Sequence, residues 1–346
     1  MMLQSRLTGP CLVTGATGLL GNNVVRQLVD RGATVRVLAR PGSSRGDKAL
    51  AGLPVERIEA ALDDDAGLDR AVAGSGVVVH SAAVVHIGWK RLDEMRQVNV
   101  EGARRVAAAA RRAGARLVHV SAIDALGRNT DGRPTDEETP PGGWIECPYV
   151  VTKREAEAAV LAEVDRGLDA VIVNPVYMLG PWDWKPSSGR MLLQVGRGKG
   201  ILAPPGANDF VDVRDVAAGI MAAVDRGRTG RRYILGGHRR TYLEAWRCFA
   251  SITGRRPPLG TAGPGVLHVA GWCGDLVARV TGREPDVNSA AIGMALLAHV
   301  TSCRRAEAEL GYTYRPLEQT VTDAWNWFVA NGYARDRRRS AESARR

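Results

Sequence analysis

The chain has 346 residues, 45% of them hydrophobic and 24% charged, and a formal net charge of +10. This balance belongs to a folded globular protein with room for a sizeable core and excludes a disordered or fibrous chain. No stretch reaches the roughly 18 apolar residues of a membrane span, and no leader is evident ahead of the strand-like Cys11-Leu12-Val13.

Five scattered cysteines with no C-x-x-C pair argue against a disulfide framework and point to a reducing cytoplasm. The six histidines have no metal-ligand spacing, so no metal is expected. The basic excess is almost all arginine: only Lys48, Lys90, Lys153, Lys185 and Lys199 are lysine. Part of it sits in the polar run Arg335–Arg346, which reads as a disordered tail over 334–346. No recognition motif accompanies the charge, so a nucleic-acid partner is not expected.

In chain order, β-branched apolar runs predict strands at Cys11–Thr14, Thr34–Leu38, Val55–Ile58, Val77–His80, Leu117–Val120 and Ala170–Val173. Helical patterns fall between them at Asn22–Asp30, Leu68–Ala73, Glu94–Arg112 and Tyr149–Asp165. The alternation predicts an α/β fold, a doubly wound parallel sheet of Rossmann type. Beyond residue 180, glycine and proline punctuate the chain to Gly206. A strand–helix element at Phe210–Asp225 and a strand at Tyr233–Gly236 precede helices at Tyr242–Thr253, Val266–Thr281, Ser289–Val300 and Thr320–Asn331. We therefore expect residues 1–176 and 210–236 to form a dinucleotide-binding domain, and 177–209 and 237–333 a smaller, mostly helical substrate lobe. The helix at Val266–Thr281 carries Asp275 and Arg279 and reads as amphipathic rather than spanning.

Three segments carry chemistry. The first strand runs into Thr14-Gly15-Ala16-Thr17-Gly18-Leu19-Leu20-Gly21 and then a helix. Glycines at this spacing allow a tight turn and close approach of backbone to a pyrophosphate, which the helix N-terminus attracts. Gly15, Thr17, Gly18, Leu19, Leu20 and Gly21 are thus candidate cofactor residues. The second strand ends at Arg40, followed by Ser43 and Ser44, where an NAD-binding chain carries a carboxylate for the ribose. A guanidinium and two hydroxyls suit a 2′-phosphate, so NADP is favoured over NAD. The third segment is Tyr149-Val150-Val151-Thr152-Lys153. Residues four apart share a helix face, and an ammonium beside a phenol lowers its pKa toward the working range. With seven Tyr and five Lys, about 0.1 such pairs are expected by chance.

These motifs, together with His80-Ser81-Ala82-Ala83, Asn99-Val100-Glu101-Gly102, Asn174-Pro175 and Phe210-Val211-Asp212-Val213-Arg214-Asp215-Val216, resemble the extended short-chain dehydrogenase/reductases over roughly residues 10–333. Within that superfamily the chain is most similar to the branch holding dihydroflavonol reductases and hydroxysteroid dehydrogenases. The resemblance implies Tyr149 as general acid, with Lys153 holding the nicotinamide ribose and depressing the Tyr149 pKa. It also implies Ala82, Ala83, Asn99 and Pro175 along the cofactor.

Two positions depart from the family pattern. The usual catalytic serine falls on Ala122, leaving Ser121 as a substitute. The usual adenine-binding aspartate falls on Ala61, leaving Asp63. His86, Trp89, Ala122, Tyr177, Met178 and Trp182 are candidates for the substrate side, with Trp144, Trp184 and Met191 able to add to an aromatic pocket.

The expected activity is NADP(H)-dependent reduction of a ketone or aldehyde, or the reverse alcohol oxidation, on a hydrophobic small molecule, in a homodimer. A nucleotide-sugar epimerase or dehydratase retaining NAD is the competing enzyme. A non-catalytic dinucleotide sensor is the competing non-enzyme, favoured by Ala122 and opposed by the intact Tyr149 and Lys153.

Overall fold

The computed structural model describes residues 9–42 and 45–335, the side chains of 45–47 excepted. Ser43, Ser44 and the end of the arginine-rich tail lie outside the described residues.

In chain order the first elements are β1 (Cys11–Thr14), α1 (Leu19–Asp30), β2 (Val35–Ala39), α2 (Arg45–Leu50), β3 (Val55–Glu59), α3 (Asp65–Val72), β4 (Val77–His80) and α4 (Leu92–Met95). A wide π-type turn over Arg96–Glu101 leads into α5 (Gly102–Ala113), β5 (Arg116–Val120), α6 (Pro148–Val164) and β6 (Ala170–Pro175). Then come β7 (Tyr177–Leu179), α7 (Gly189–Gly196), β8 (Leu202–Ala203), β9 (Ala207–Asp212), α8 (Val213–Arg226), β10 (Arg232–Leu235) and β11 (His238–Thr241). The chain closes with α9 (Tyr242–Thr253), β12 (Gly260–Thr261), α10 (Pro264–Thr281), α11 (Ser289–Leu296) and α12 (Leu317–Ala330).

The chain divides into two compact units. The first runs through Pro175 and adds Arg214–Leu235 and Thr301–Thr313. Its seven strands form one parallel sheet in the order β10-β6-β5-β4-β1-β2-β3. This is a doubly wound Rossmann sheet whose strand order reverses at β1/β4, and such a reversal opens a crevice at the carboxyl ends of the strands. β1, β4, β5 and β6 are buried along their whole length, as helices on both faces require, whereas edge strand β3 is largely solvated. Leu12, Val78, Leu117 and Ile172 from four neighbouring strands pack with Ala103, Val106, Ala107 and Ala110 of α5 and with Ala156 and Val160 of α6. The alanine-rich face of α5 lets that helix lie close on the sheet.

The second unit comprises Val176–Val213, Gly236–Val300 and the chain from Tyr314. Here β9 is central, pairing parallel to β7 and antiparallel to β11. Phe210 from that strand packs with Leu192, Phe249, Leu317 and Phe328 of α7, α9 and α12.

The division differs from the sequence expectation at two places. Phe210–Asp212 belongs to the second unit, because β9 bonds to β7 and β11 and to no strand of the large sheet. Residues 301–313 return to the first unit. There Glu309 accepts the Tyr233 hydroxyl at 2.7 Å, and Arg305 pairs with Glu138 at 2.5 Å. No helix among the described residues is long and apolar enough to cross a membrane.

Candidate active site

The loop after β1 is built from its glycines. Gly15 has φ +69°, and a Cβ there would lie 2.7 Å from the Ala82 nitrogen; a Cβ on Gly21 would lie 2.2 Å from the Gly15 carbonyl oxygen. The turn is thus closed against β4 and against its own helix, and any side chain would force it apart. Gly18 is the N-cap of α1, with no side-chain cap and no acidic residue in the first turn. No side chain of the cap or first turn competes for the first-turn N–H groups or the positive helix end, the arrangement that holds a phosphate. The side chains of Leu19 and Leu20 are buried beneath the loop, while Thr17 and Gly18 are exposed on it. Sequence reasoning missed Asn22, whose buried amide donates to the Ala16 carbonyl at 3.2 Å and the Ala49 carbonyl at 2.9 Å, tying the loop to α2.

Arg40 is exposed at the exit of β2. Its neighbour Arg36 is already committed, to Glu56 and to the Ala71 and Ala73 carbonyls. Asp63 is exposed in the β3–α3 loop, and the next residue, Asp64, caps α3 by accepting from the Gly67 N–H at 2.9 Å.

Ala82 and Ala83 follow β4, and the Ala82 N–H donates to the Thr14 hydroxyl at 3.2 Å. Asn99 is buried and its amide is spent on protein. It bonds the Val84 N–H at 2.7 Å, the Val84 carbonyl at 3.0 Å and the Thr152 hydroxyl at 3.3 Å. It therefore positions the β4–α4 segment against α6. The π-type turn carrying Asn99 sits inside what the sequence reads as one continuous helix. Such a bulge re-aims a side chain without ending the helix. His86 is half-buried and Trp89 exposed in the same segment.

Helix α6 starts at Pro148, where a missing N–H costs nothing. Tyr149 and Lys153 lie one turn apart on it, and both are buried. The Tyr149 hydroxyl has no hydrogen-bond partner among the described residues. Burial, then the nearby Asp124 carboxylate and the Cys147 thiol, push the phenol pKa up, so it stays protonated. Lys153 donates to the Val120 carbonyl at 3.2 Å, and burial brings its pKa down to about 8 against the pull of Glu157 and Asp124. The shift of the Tyr149 phenol thus runs opposite to the lowering expected from Lys153. Desolvation and Asp124 dominate, and the ammonium spends a bond on the end of β5.

The carboxyl end of β5 carries Ser121 and Ala122. The Ser121 hydroxyl is buried with no partner, while its N–H is bonded to the Val173 carbonyl at 2.8 Å. Ala122 presents only its carbonyl, which accepts from Asn174 at 2.9 Å. Asn174 also donates to the buried Glu157 at 2.6 Å, and Glu157 in turn accepts from Arg232 at 2.6 Å. This chain pins α6, and with it Tyr149 and Lys153, to β6 and β10. Pro175 ends β6 and is buried.

Three further groups were not singled out from sequence. Asp124 stands in the turn after Ala122, its Oδ1 sealed from solvent and unpartnered, and burial raises its pKa to about 6. His80 and His119 stand in register with Thr14 across β1, β4 and β5, and their rings stack 5.5 Å apart. His80 accepts or donates to the Thr14 hydroxyl at 2.7 Å. Burial and the charge on Lys153 bring the His80 pKa down to about 3; burial, His80 and Lys153 push His119 well below the usual imidazole range, so both stay neutral. Their place in short apolar strands buried on both faces foretells their burial; nothing in spacing foretells their closeness to Lys153.

The aromatic candidates are divided between the two units. Tyr177 and Trp182 pack against the core of the second unit. The Tyr177 hydroxyl donates to the Ser188 carbonyl, and the Trp182 ring lies 6.0 Å from Trp327. Trp182 also has φ +71°, an uncommon conformation for a bulky residue. Met178 is half-buried on β7, and Trp144 is buried in the first unit, donating to the Leu126 carbonyl at 2.7 Å.

The order of the seven-stranded parallel sheet agrees with the comparisons. The model of the NAD-dependent epimerase/dehydratase family matches residues 11–236. The chain belongs to that family. It is an NAD(P)-dependent oxidoreductase of the extended short-chain dehydrogenase/reductase type. It is 36% identical over 325 residues to sterol demethylase protein B of Methylococcus capsulatus, covering 93% of this chain and 98% of the relative. It is 34% identical to a dihydroflavonol 4-reductase-like protein of Synechocystis, covering 93% and 95%. Among solved structures, gox2253 superposes with a TM-score of 0.81 at 34% identity, covering 94% of this chain and 99% of that one.

Proposed function

We propose that this family member is an NADP(H)-dependent ketone or aldehyde reductase, run in reverse as an alcohol dehydrogenase, acting on a hydrophobic small molecule. The observation that carries the reading is the buried Tyr149 phenol, one turn from Lys153 and with its hydroxyl unbonded among the described residues. A phenol whose hydroxyl is not spent on the protein is available to give its proton to a carbonyl oxygen as that oxygen gains charge.

The residues fit a dinucleotide. The glycine turn leaves no room for a Cβ, the α1 terminus is uncapped by any side chain, and no carboxylate follows β2 where a ribose 2′-hydroxyl would need one. When bound, the cofactor supplies hydride from its reduced nicotinamide ring. Gly15, Gly18 and Gly21 would hold the pyrophosphate, Arg40 the 2′-phosphate and Lys153 the ribose hydroxyls. Tyr149 donates its proton to the substrate oxygen. Ser121 offers that oxygen a second donor in place of the hydroxyl missing at Ala122, since its own is unspent. His80 and His119, neutral and buried, keep the floor beside Lys153 free of competing positive charge. The lipophilic substrate class is supported by the sterol in the name of a relative at 36% identity.

Arg40 decides the cofactor. Arg40→Ala is expected to weaken NADPH by about 10- to 100-fold, the worth of a charge-assisted phosphate contact, and to leave NADH within about twofold. Parallel titrations of both cofactors measure it. Equal loss of both would remove the 2′-phosphate assignment.

A further inference from the structure

Helix α10 is built the wrong way round for a helix that packs only on its own unit. The face it buries is made of Gly271, Gly274 and Ala278. A Cβ on Gly274 would lie 1.9 Å from the Val287 carbonyl oxygen, and one on Gly271 would lie 3.0 Å from the Ser289 Cα, so the chain entering α11 rests directly on these glycines. Asp275 is used on the same side, accepting from the Ser289 N–H at 3.1 Å.

The large apolar side chains point outward instead. Val266 is 70% exposed, Trp272 65% and Val280 78%, with Val269, Leu276 and Val277 about half or more exposed between them. At helical spacing these residues fall on one continuous arc, running the roughly 27 Å of an 18-residue helix. Two residues upstream, β12 pairs with β8, where Leu259 is 84% exposed beside the exposed Ile201, its N–H bonded to the Ile201 carbonyl at 2.9 Å. Most of the large hydrophobic side chains exposed among the described residues belong to this one region. A patch of this size on a soluble unit marks a surface that is covered in use.

The charge around the arc selects what covers it. Arg197, Lys199, Arg256, Arg279 and Arg283 are all exposed along and beside these elements and outnumber the acids there: Asp275 accepts from Ser289, Asp286 pairs with Arg190, and Glu284 is half-buried. A second copy docked about a two-fold axis would set this basic rim against itself. Valine, leucine and tryptophan on one face with arginine at its border form the pattern of a helix lying in the interface of an anionic bilayer.

We propose that α10, with the β8–β12 edge, is a peripheral docking surface for an anionic lipid membrane, the helix lying in the plane of the interface. The surface lies outside the catalytic residues and stands whether or not the reductase reading holds.

The test is flotation of the full-length protein with vesicles of phosphatidylcholine mixed with phosphatidylglycerol, and with phosphatidylcholine alone. The native chain should float with the mixed vesicles and be released by high salt. The double variant Val269→Glu/Leu276→Glu should lose at least about tenfold of the bound fraction, since two buried charges replace apolar contact. Circular dichroism and melting should stay unchanged. Arg279→Glu/Arg283→Glu, which leaves every apolar contact intact, should weaken binding to mixed vesicles only, and keeps the test valid if the first variant misfolds. The proposal is overturned if the native chain stays in the soluble fraction. It is also overturned if binding to both vesicle types is equal, or if sedimentation shows a dimer that Val269→Glu/Leu276→Glu converts to monomer.

Discussion

Replacing Tyr149 by phenylalanine is expected to lower kcat by about 10²- to 10⁴-fold, the range a positioned general acid supplies. The substitution removes one oxygen and nothing that packs. The ring stays in its buried site, and the hydroxyl it loses makes no bond within the described protein. Folding and NADPH affinity should therefore be nearly native, and the loss should fall on kcat rather than on KM. Steady-state kinetics beside a cofactor titration separate the two. A variant that kept full turnover would show that the proton comes from elsewhere, and the unpartnered Asp124 in the adjacent turn would be the first alternative.

The second large effect is expected at Gly21, which touches no reacting atom. Alanine there would place its Cβ 2.2 Å from the Gly15 carbonyl oxygen and 2.7 Å from its carbon, both backbone atoms of the turn. No rotamer relieves such a contact; the loop itself has to move away from α1. Overpacking of this kind costs about 1–3 kcal/mol, and moving the N–H groups out of line for a phosphate adds to it. NADPH should bind about 10- to 100-fold more weakly in Gly21→Ala, with melting lowered as well. By contrast Gly18, whose Cβ would meet only the Gly15 carbonyl oxygen, at 3.3 Å, should tolerate alanine better in folding. Native affinity in Gly21→Ala, measured by calorimetric titration, would mean that the turn does not hold the cofactor.

The parallel sheet is legible because its central strands are short β-branched runs buried on both faces. Cys11–Thr14 and Val77–His80 were read to the residue. Elements whose pattern is interrupted were harder. Helix α1 starts at Leu19, three residues before the predicted Asn22, because a glycine-rich stretch hides its first turn. Helix α7 has glycine at both ends and was read as punctuation, yet its Gly189 and Gly196 are small because Phe328 and Trp325 press on them. The predicted helix over Glu94–Arg112 runs on through a π-type turn that aims Asn99 inward, and no periodicity at 3.6 residues can announce a turn that departs from it.

In the site, the Tyr149–Lys153 pair was legible because it is a spacing on one helix. Asp124 was not, because its importance arises from burial beside Tyr149, which only the tertiary fold creates. Helix α10 shows the same limit on a surface. Its pattern establishes an amphipathic helix, but which face turns inward is settled by the backbone of residues 287–289 resting on Gly271 and Gly274.

The central claim is that turnover here consumes NADPH to reduce a lipophilic carbonyl compound. Its most direct test is the stoichiometry of NADPH oxidised to alcohol formed, measured with a panel of ketosteroids, long-chain ketones and nucleotide sugars. One NADPH consumed per alcohol formed from a lipophilic ketone, and none with a nucleotide sugar, is the expected result. Protein purified with tightly held NAD, converting a nucleotide sugar with no net change in cofactor, would contradict it.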